Sequence, residues 1–105
     1  MTQIIWSPKS LRDLERIQAY IAQYNPTAAK RLVQKIIDRT DRLVRFPNSG
    51  GYVEEDEERR YRQVLQGNYR VIYRYDRPAN AVTVVAVIHA TRLVDSVMID
   101  SPSAE

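Results

Sequence analysis

Apolar positions along this chain change period twice, and each change marks an element. Residues 4–6 form a short apolar run that reads as a first strand. Ser7-Pro8 then predicts a helix start: a serine side chain caps a free amide, and proline at the first helical position loses nothing by lacking an N–H. Leu11, Leu14, Ile17, Ile21 and Tyr24 follow at spacings of three and four, the stripe of an amphipathic helix. Asn25-Pro26 repeats the start signal. Ala29, Leu32, Val33, Ile36, Ile37, Leu43 and Val44 make a second stripe, with Thr40 its one polar member. So short a link predicts an antiparallel helical hairpin, ended by the turn-forming stretch at residues 46–51.

The period then falls to two. In residues 69–75, Tyr69, Val71, Tyr73 and Tyr75 share one face of a strand, and Arg70, Ile72 and Arg74 the other. Residues 82–89 are almost wholly apolar, as in a strand covered on both faces. Gly67-Asn68 predicts a two-residue hairpin to a strand over residues 61–66, and residues 76–81 a second turn. Apolar residues at 93, 94, 97 and 98 fit a short terminal helix, with residues 101–105 a frayed tail. The expected fold is α+β, in the order β-α-α-β-β-β-(α), with a helical hairpin on one face of a mainly antiparallel sheet. One domain over residues 1–105 suffices for this length. One core is expected, containing Leu14, Ile17, Ile21, Leu32, Val33, Ile36, Ile37, Val71, Tyr73, Val84 and Ile88.

Composition narrows the chemistry. No apolar run is long enough to span a membrane, and the N-terminus lacks the pattern of a secretory signal. With no cysteine and one histidine, neither a thiolate zinc site nor another all-protein transition-metal site is expected, and a cytoplasmic setting fits. Net charge is +3, yet Glu54, Glu55, Asp56, Glu57 and Glu58 are consecutive, so the rest of the chain stands at +8. A basic body suits nucleic acid or an acidic protein partner; it equally suits plain solubility. The acidic run lacks the spaced ligands and sharp-turn glycine of a calcium loop, and it reads as a solvated, dispensable loop.

No nucleophile–base pair stands out among the serines. His89, at the end of an apolar strand, reads as a structural hydrogen-bonding residue before it reads as a catalyst. Arg62, Arg70, Arg74 and Arg92 are more suggestive. If the helices cover the Tyr69/Val71/Tyr73/Tyr75 face, Arg70 and Arg74 stand on an open one, where guanidinium groups can hold phosphates or carboxylates. The plainer alternative is a sheet face kept soluble by arginines, with Arg70 paired to a local acid.

Several motifs together resemble a known family. They are Trp6-Ser7-Pro8 leading into Leu11-Arg12-Asp13-Leu14 with Ile17, Tyr20 and Ile21; Asn25-Pro26-Thr27-Ala28-Ala29; Leu43-Val44-Arg45-Phe46-Pro47; Gly67-Asn68-Tyr69-Arg70-Val71-Ile72-Tyr73; and Val87-Ile88-His89-Ala90-Thr91-Arg92. In this order and spacing, over about residues 3–95, the chain resembles the ParE branch of the RelE/ParE superfamily of bacterial type II toxins. The resemblance implies a toxin of plasmid-stabilisation type, held inactive by a cognate antitoxin. ParE-like members poison DNA gyrase without catalysis or cofactor, whereas RelE-like members cleave mRNA on the ribosome. A nuclease reading would enlist Arg62, Arg70, His89 and Arg92. Against it, Met98 stands where nucleases carry a late tyrosine, and Arg62 is followed by uncharged Gln63, Val64 and Leu65 where they carry paired lysines. The acidic run departs from both branches. A third possibility is a non-toxic binding relative. An antitoxin tail, a helix followed by an extended segment, would dock on the hairpin's outer surface and a sheet edge. It would be drawn by Arg12, Arg16, Arg31 and Arg39 and meet Tyr20 and Tyr24, unless those tyrosines are core. Arg70, Arg74 and Arg92 complete the candidate partner surface.

Overall fold

The computed structural model describes residues 1–94. The terminal helix expected after residue 93, the frayed tail and Met98 lie outside these residues, apart from Leu93 and Val94, which are not helical. Strand β1 (Gln3–Trp6) leads into helices α1 (Pro8–Ala22) and α2 (Pro26–Asp41). A 3-10 turn (Arg42–Val44) and strands β2 (Gly51–Tyr52), β3 (Arg62–Gln66), β4 (Tyr69–Asp76) and β5 (Ala81–His89) follow. The sheet order is β1-β5-β4-β3-β2. β1 runs parallel to β5, and every other pair is antiparallel, which makes the fold α+β.

The local signals act as expected. Ser7 and Asn25 cap the helices, their side chains accepting the amides of Ser10 at 3.1 Å and Ala28 at 3.0 Å, each followed by proline. Gly67 supplies the positive φ (57°) that the β3–β4 hairpin needs. Both helices lie on one face of the sheet. There Leu14, Ile36, Leu43, Val64, Val71, Tyr73, Val82, Val84 and Val87 form a core, with Ile17 and Leu32 packed against it. Each fully buried aliphatic side chain in it contributes roughly 1.5–3 kcal/mol.

Two expectations about burial fail. Leu11 and Tyr24 belong to no buried stripe; they are 46% and 75% exposed, while Ser10 and Asp13 are buried. Leu14 and Ile17 of the apolar stripe still face the core, while Leu11 turns outward and the buried Ser10 and Asp13 are satisfied by hydrogen bonds. Nor is there a single core. The opposite sheet face carries a second cluster of Val53, Tyr61, Ile72, Val85, Ala86, Ile88 and Val94, so Ile88 is buried in it and not beneath the helices. A bulge serves this arrangement: Ile72 pairs with Ala86 and Tyr73 with Val84, which leaves Val85 as the extra residue. Val85 and Ala86 both join the second cluster.

The cover of that second face is the acidic loop, residues 53–61. It is not the solvated excursion its charge predicts. Asp56 is buried, and its Oδ2 accepts the backbone N–H groups of Arg60 at 2.7 Å and Tyr61 at 3.0 Å. Burial alone would raise its pKa, but these donors and the Arg60 guanidinium hold it below the usual value. Arg59 takes a positive φ of 54° to close the turn. The loop covers the part of that face around Arg70 and Ile72, whereas Arg74 further along β4 stands exposed as expected.

Candidate functional site

Two clefts flank the end of β5, one on each face of the sheet. The first follows from unequal strand lengths. β1 pairs with β5 only as far as Trp6 and Val84, and Pro8 then turns the chain into α1. β5 runs on to His89 with α1 lying over its vacated edge. Ser7 meets that edge by donating its backbone N–H to Val84 O at 3.0 Å and its hydroxyl to Val85 O at 3.4 Å. Asp13 Oδ2 accepts Val87 N–H at 3.0 Å and the Lys9 ammonium at 2.8 Å. Beyond Asp13 lies a groove of about 410 Å³, walled by Arg16 and Tyr20 of α1, by Tyr69 and His89, and by Arg92.

His89 belongs to this groove by face as well as by place. It pairs in register with Tyr69 and packs edge-on against that ring at 5.4 Å between centroids. Its Nδ1 accepts the Thr91 N–H at 3.2 Å and lies 2.8 Å from the Thr91 hydroxyl, so the neutral ring carries its proton on Nε2.

The second cleft, about 640 Å³, lies on the other face between the acidic loop and the segment after β5. Arg70 forms its floor and is 7% exposed, not standing on an open face. Arg70 Nη1 and Nη2 meet Glu55 Oε1 and Oε2 at 3.2 and 2.7 Å, a two-pronged ion pair. Nη1 also donates to Gln63 Oε1 at 3.0 Å, and Nη2 to the Arg92 carbonyl. Glu55 Oε2 accepts Val94 N–H at 2.8 Å as well. The Arg70 guanidinium, opposed by partial burial and assisted by Val94 N–H, holds the Glu55 carboxyl down at about 2. The plainer alternative for Arg70, pairing with a local acid, is the one the fold adopts.

The other candidates scatter. Arg62 pairs in register with Tyr73, four residues along β4 from Tyr69, hence about 13 Å from the level of His89. Its Nη1 donates to Asn48 O at 3.1 Å and Gly50 O at 2.7 Å, and its guanidinium lies 4.2 Å from the centre of the Tyr52 ring. It anchors the loop before β2. Arg12, Arg16 and Arg31 are exposed on the helices, Arg39 is half-buried, and Arg74 is exposed on β4. Tyr20 and Tyr24 are surface residues, 61% and 75% exposed, and pack edge-on together at 5.8 Å. Of the candidate partner residues, Arg16, Tyr20 and Arg92 share the groove, while Arg31, Arg39, Arg70 and Arg74 lie outside it. Among the described residues no cluster of three or more acidic, histidine or cysteine side chains is placed to hold a metal, and no helix is long and apolar enough to cross a membrane.

Sequence reading missed Lys9, Asp13, Tyr69, Glu55 and Gln63 as members of these clefts. The spacing of four between Lys9 and Asp13 left the signal of a helical ion pair, and the alternative of a local acid for Arg70 pointed toward Glu55 without naming it.

Comparison with known proteins agrees with the architecture. The family profile described as the ParE toxin of the type II toxin–antitoxin system parDE matches residues 4–94. The putative toxin Y4kP of Sinorhizobium fredii is 33% identical over 85 residues, 79% of this chain and 85% of that protein. Toxin RelE2 of Caulobacter vibrioides is 36% identical over 50 residues, 48% of this chain, and the match spans only 57% of that relative's length. Among solved structures, the chromosomal ParDE system of P. aeruginosa superposes with a TM-score of 0.68 at 20% identity, over 85% of this chain and 96% of that one. The toxin–antitoxin complex RelBE2 of Mycobacterium tuberculosis gives 0.63 at 21% identity, over 84% and 96%. These two likenesses are of fold. The family profile runs from β1 to the segment beyond β5, and Y4kP is similar over most of its length, so the chain belongs to the ParE toxin family of type II toxin–antitoxin systems.

Proposed function

We propose that this chain is the toxin of an antitoxin-neutralised pair and that it acts in the cytoplasm by binding DNA gyrase, not by cleaving RNA. The observation that carries the reading is the dispersal of the nuclease candidates. Arg70 is buried under the acidic loop with its guanidinium committed to Glu55, His89 faces the opposite side of the sheet, and Arg62 anchors a distant loop. Acid–base cleavage needs its proton-transferring and charge-stabilising groups within hydrogen-bond reach of one scissile phosphate. His89 and Arg92 border one groove, but Arg62 and Arg70 lie outside it, so the four share no such point.

The antitoxin's place in this reading is the groove between α1 and β5. An extended segment lying there meets the rings of Tyr20 and Tyr69 and the cations Arg16 and Arg92. An acidic tail is steered toward this basic end, with charge acting more on the rate of encounter than on final affinity. Expression without antitoxin tests the proposal in cells. Gyrase poisoning gives filamentation and a DNA-damage response while translation continues; a prior stop in translation would point to RNA cleavage instead.

A further inference from the structure

Three hydrogen-bond donors converge on the carboxylate of Glu55: Arg70 Nη1, Arg70 Nη2 and the backbone N–H of Val94, at 3.2, 2.7 and 2.8 Å. They come from β4 and from the segment after β5, so the sheet and not the loop builds the seat. Its geometry is that of an oxyanion site: a guanidinium presenting two parallel N–H groups, with an amide closing the third side. Arg70 supplies a fixed charge, for it is 93% buried and braced by Gln63 Oε1 and the Arg92 carbonyl. Its Nε is buried with no hydrogen-bond partner among the described residues. The seat is also reachable. The Glu55 side chain is 21% exposed, and it borders a cleft whose rim includes Thr91 and Arg92.

We propose that this is a phosphate-type oxyanion site occupied by the protein's own Glu55, so that the acidic loop is an internal ligand that keeps Arg70 away from phosphates. The neighbours of Glu55 argue for this role over one in solubility. Glu54, Glu57 and Glu58 are exposed, and Asp56 is spent on fastening the loop through the amides of Arg60 and Tyr61. Glu55 alone reaches across to the sheet. A self-supplied carboxylate on a 105-residue chain acts at a far higher effective concentration than any free phosphate, so the wild-type seat stays filled. The inference does not rest on gyrase as the target.

The test is rescue of Glu55→Ala by inorganic phosphate, read as thermal midpoint against sodium chloride of matched ionic strength. Phosphate also stabilises folded proteins generally, so wild type, Glu58→Ala and the double variant Glu55→Leu/Arg70→Leu set the baseline. The expected result is that phosphate raises the midpoint of Glu55→Ala several degrees beyond that baseline, saturably, while the three controls respond alike. If Glu55→Ala does not fold in chloride, recovery of its native circular dichroism on adding phosphate supports the site, and failure to recover contradicts it. A phosphate response of Glu55→Ala equal to that of the double variant overturns the proposal.

Discussion

Arg70 and His89 sit one register step apart on neighbouring strands and point to opposite faces of the sheet. Arg70 pairs with Ile88 and turns with it to the loop-covered face, while His89 pairs with Tyr69 and faces α1. Two residues that look adjacent in any listing of basic side chains are separated by the sheet itself. On the proposed function, His89→Ala should inhibit its target as wild type does. It should lose about 1 kcal/mol of stability with the Tyr69 ring contact and the Thr91 bonds. Denaturant unfolding and an activity titration on the same preparation check both parts.

Within the acidic loop the five carboxylates should divide sharply. Glu54→Ala, Glu57→Ala and Glu58→Ala should each change stability by less than about 0.5 kcal/mol, as exposed substitutions do. Glu55→Ala strands a buried guanidinium and should cost about 3 kcal/mol. Asp56→Ala leaves the amides of Arg60 and Tyr61 unpaired, at about 1–3 kcal/mol. Urea midpoints across the five variants would show the division or its absence.

Acid should act through the same two residues. Glu55 is held at about 2 against an ordinary 4.5, and Asp56 is also lowered. Depressed carboxylates contribute stability that is fully present above the unfolded-state pKa and is lost as pH falls toward the folded one. The stability gap between wild type and Glu55→Gln should thus be constant above about pH 5.5 and close as pH falls toward 2. A gap that widened on acidification would contradict the pairing.

Gly50 is fixed by space. A Cβ there would lie 2.6 Å from Gln63 O and 2.7 Å from the Tyr73 hydroxyl, itself donating to Pro47 O and accepting Gly50 N–H. Gly50→Ala should cost about 1–3 kcal/mol by forcing these apart. Gly51, with open space around it, should accept alanine with little loss. Thermal melts of the two variants side by side make the comparison.

Much of this was legible in the sequence, and what was not has physical causes. Alternation through Tyr69–Asp76 and the apolar run Ala81–His89 state the two central strands openly, and Ser7-Pro8 and Asn25-Pro26 state both helix starts. The second core was hidden because Val53 and Tyr61, its anchors in the loop, bracket a run of like charges that reads as solvent. Ser10 and Asp13 were hidden because pattern reading scores polar residues as outside, whereas here the Ser7 carbonyl and the Val87 amide satisfy them. The groove was hidden for a third reason. It exists because β1 is shorter than β5, and relative strand length is a property of pairing, which periodicity does not encode.

For the antitoxin surface, charge reversal at the groove is the discriminating change. Arg16→Glu and Arg92→Glu together should slow association with the cognate antitoxin several-fold and flatten its salt dependence, with dissociation altered less. Arg74→Glu, on an exposed stretch of β4 outside the groove, should leave the rate near wild type. Equal effects from the two changes would place the antitoxin elsewhere.

The central claim is that this fold disables its target by binding, without an assembled catalytic set. It is tested most directly by adding purified toxin, with and without cognate antitoxin, to two reactions in parallel: DNA supercoiling by gyrase, and mRNA cleavage on translating ribosomes. The account predicts dose-dependent loss of supercoiling, restored by antitoxin, with mRNA left intact. Cleaved mRNA with gyrase unaffected would contradict it.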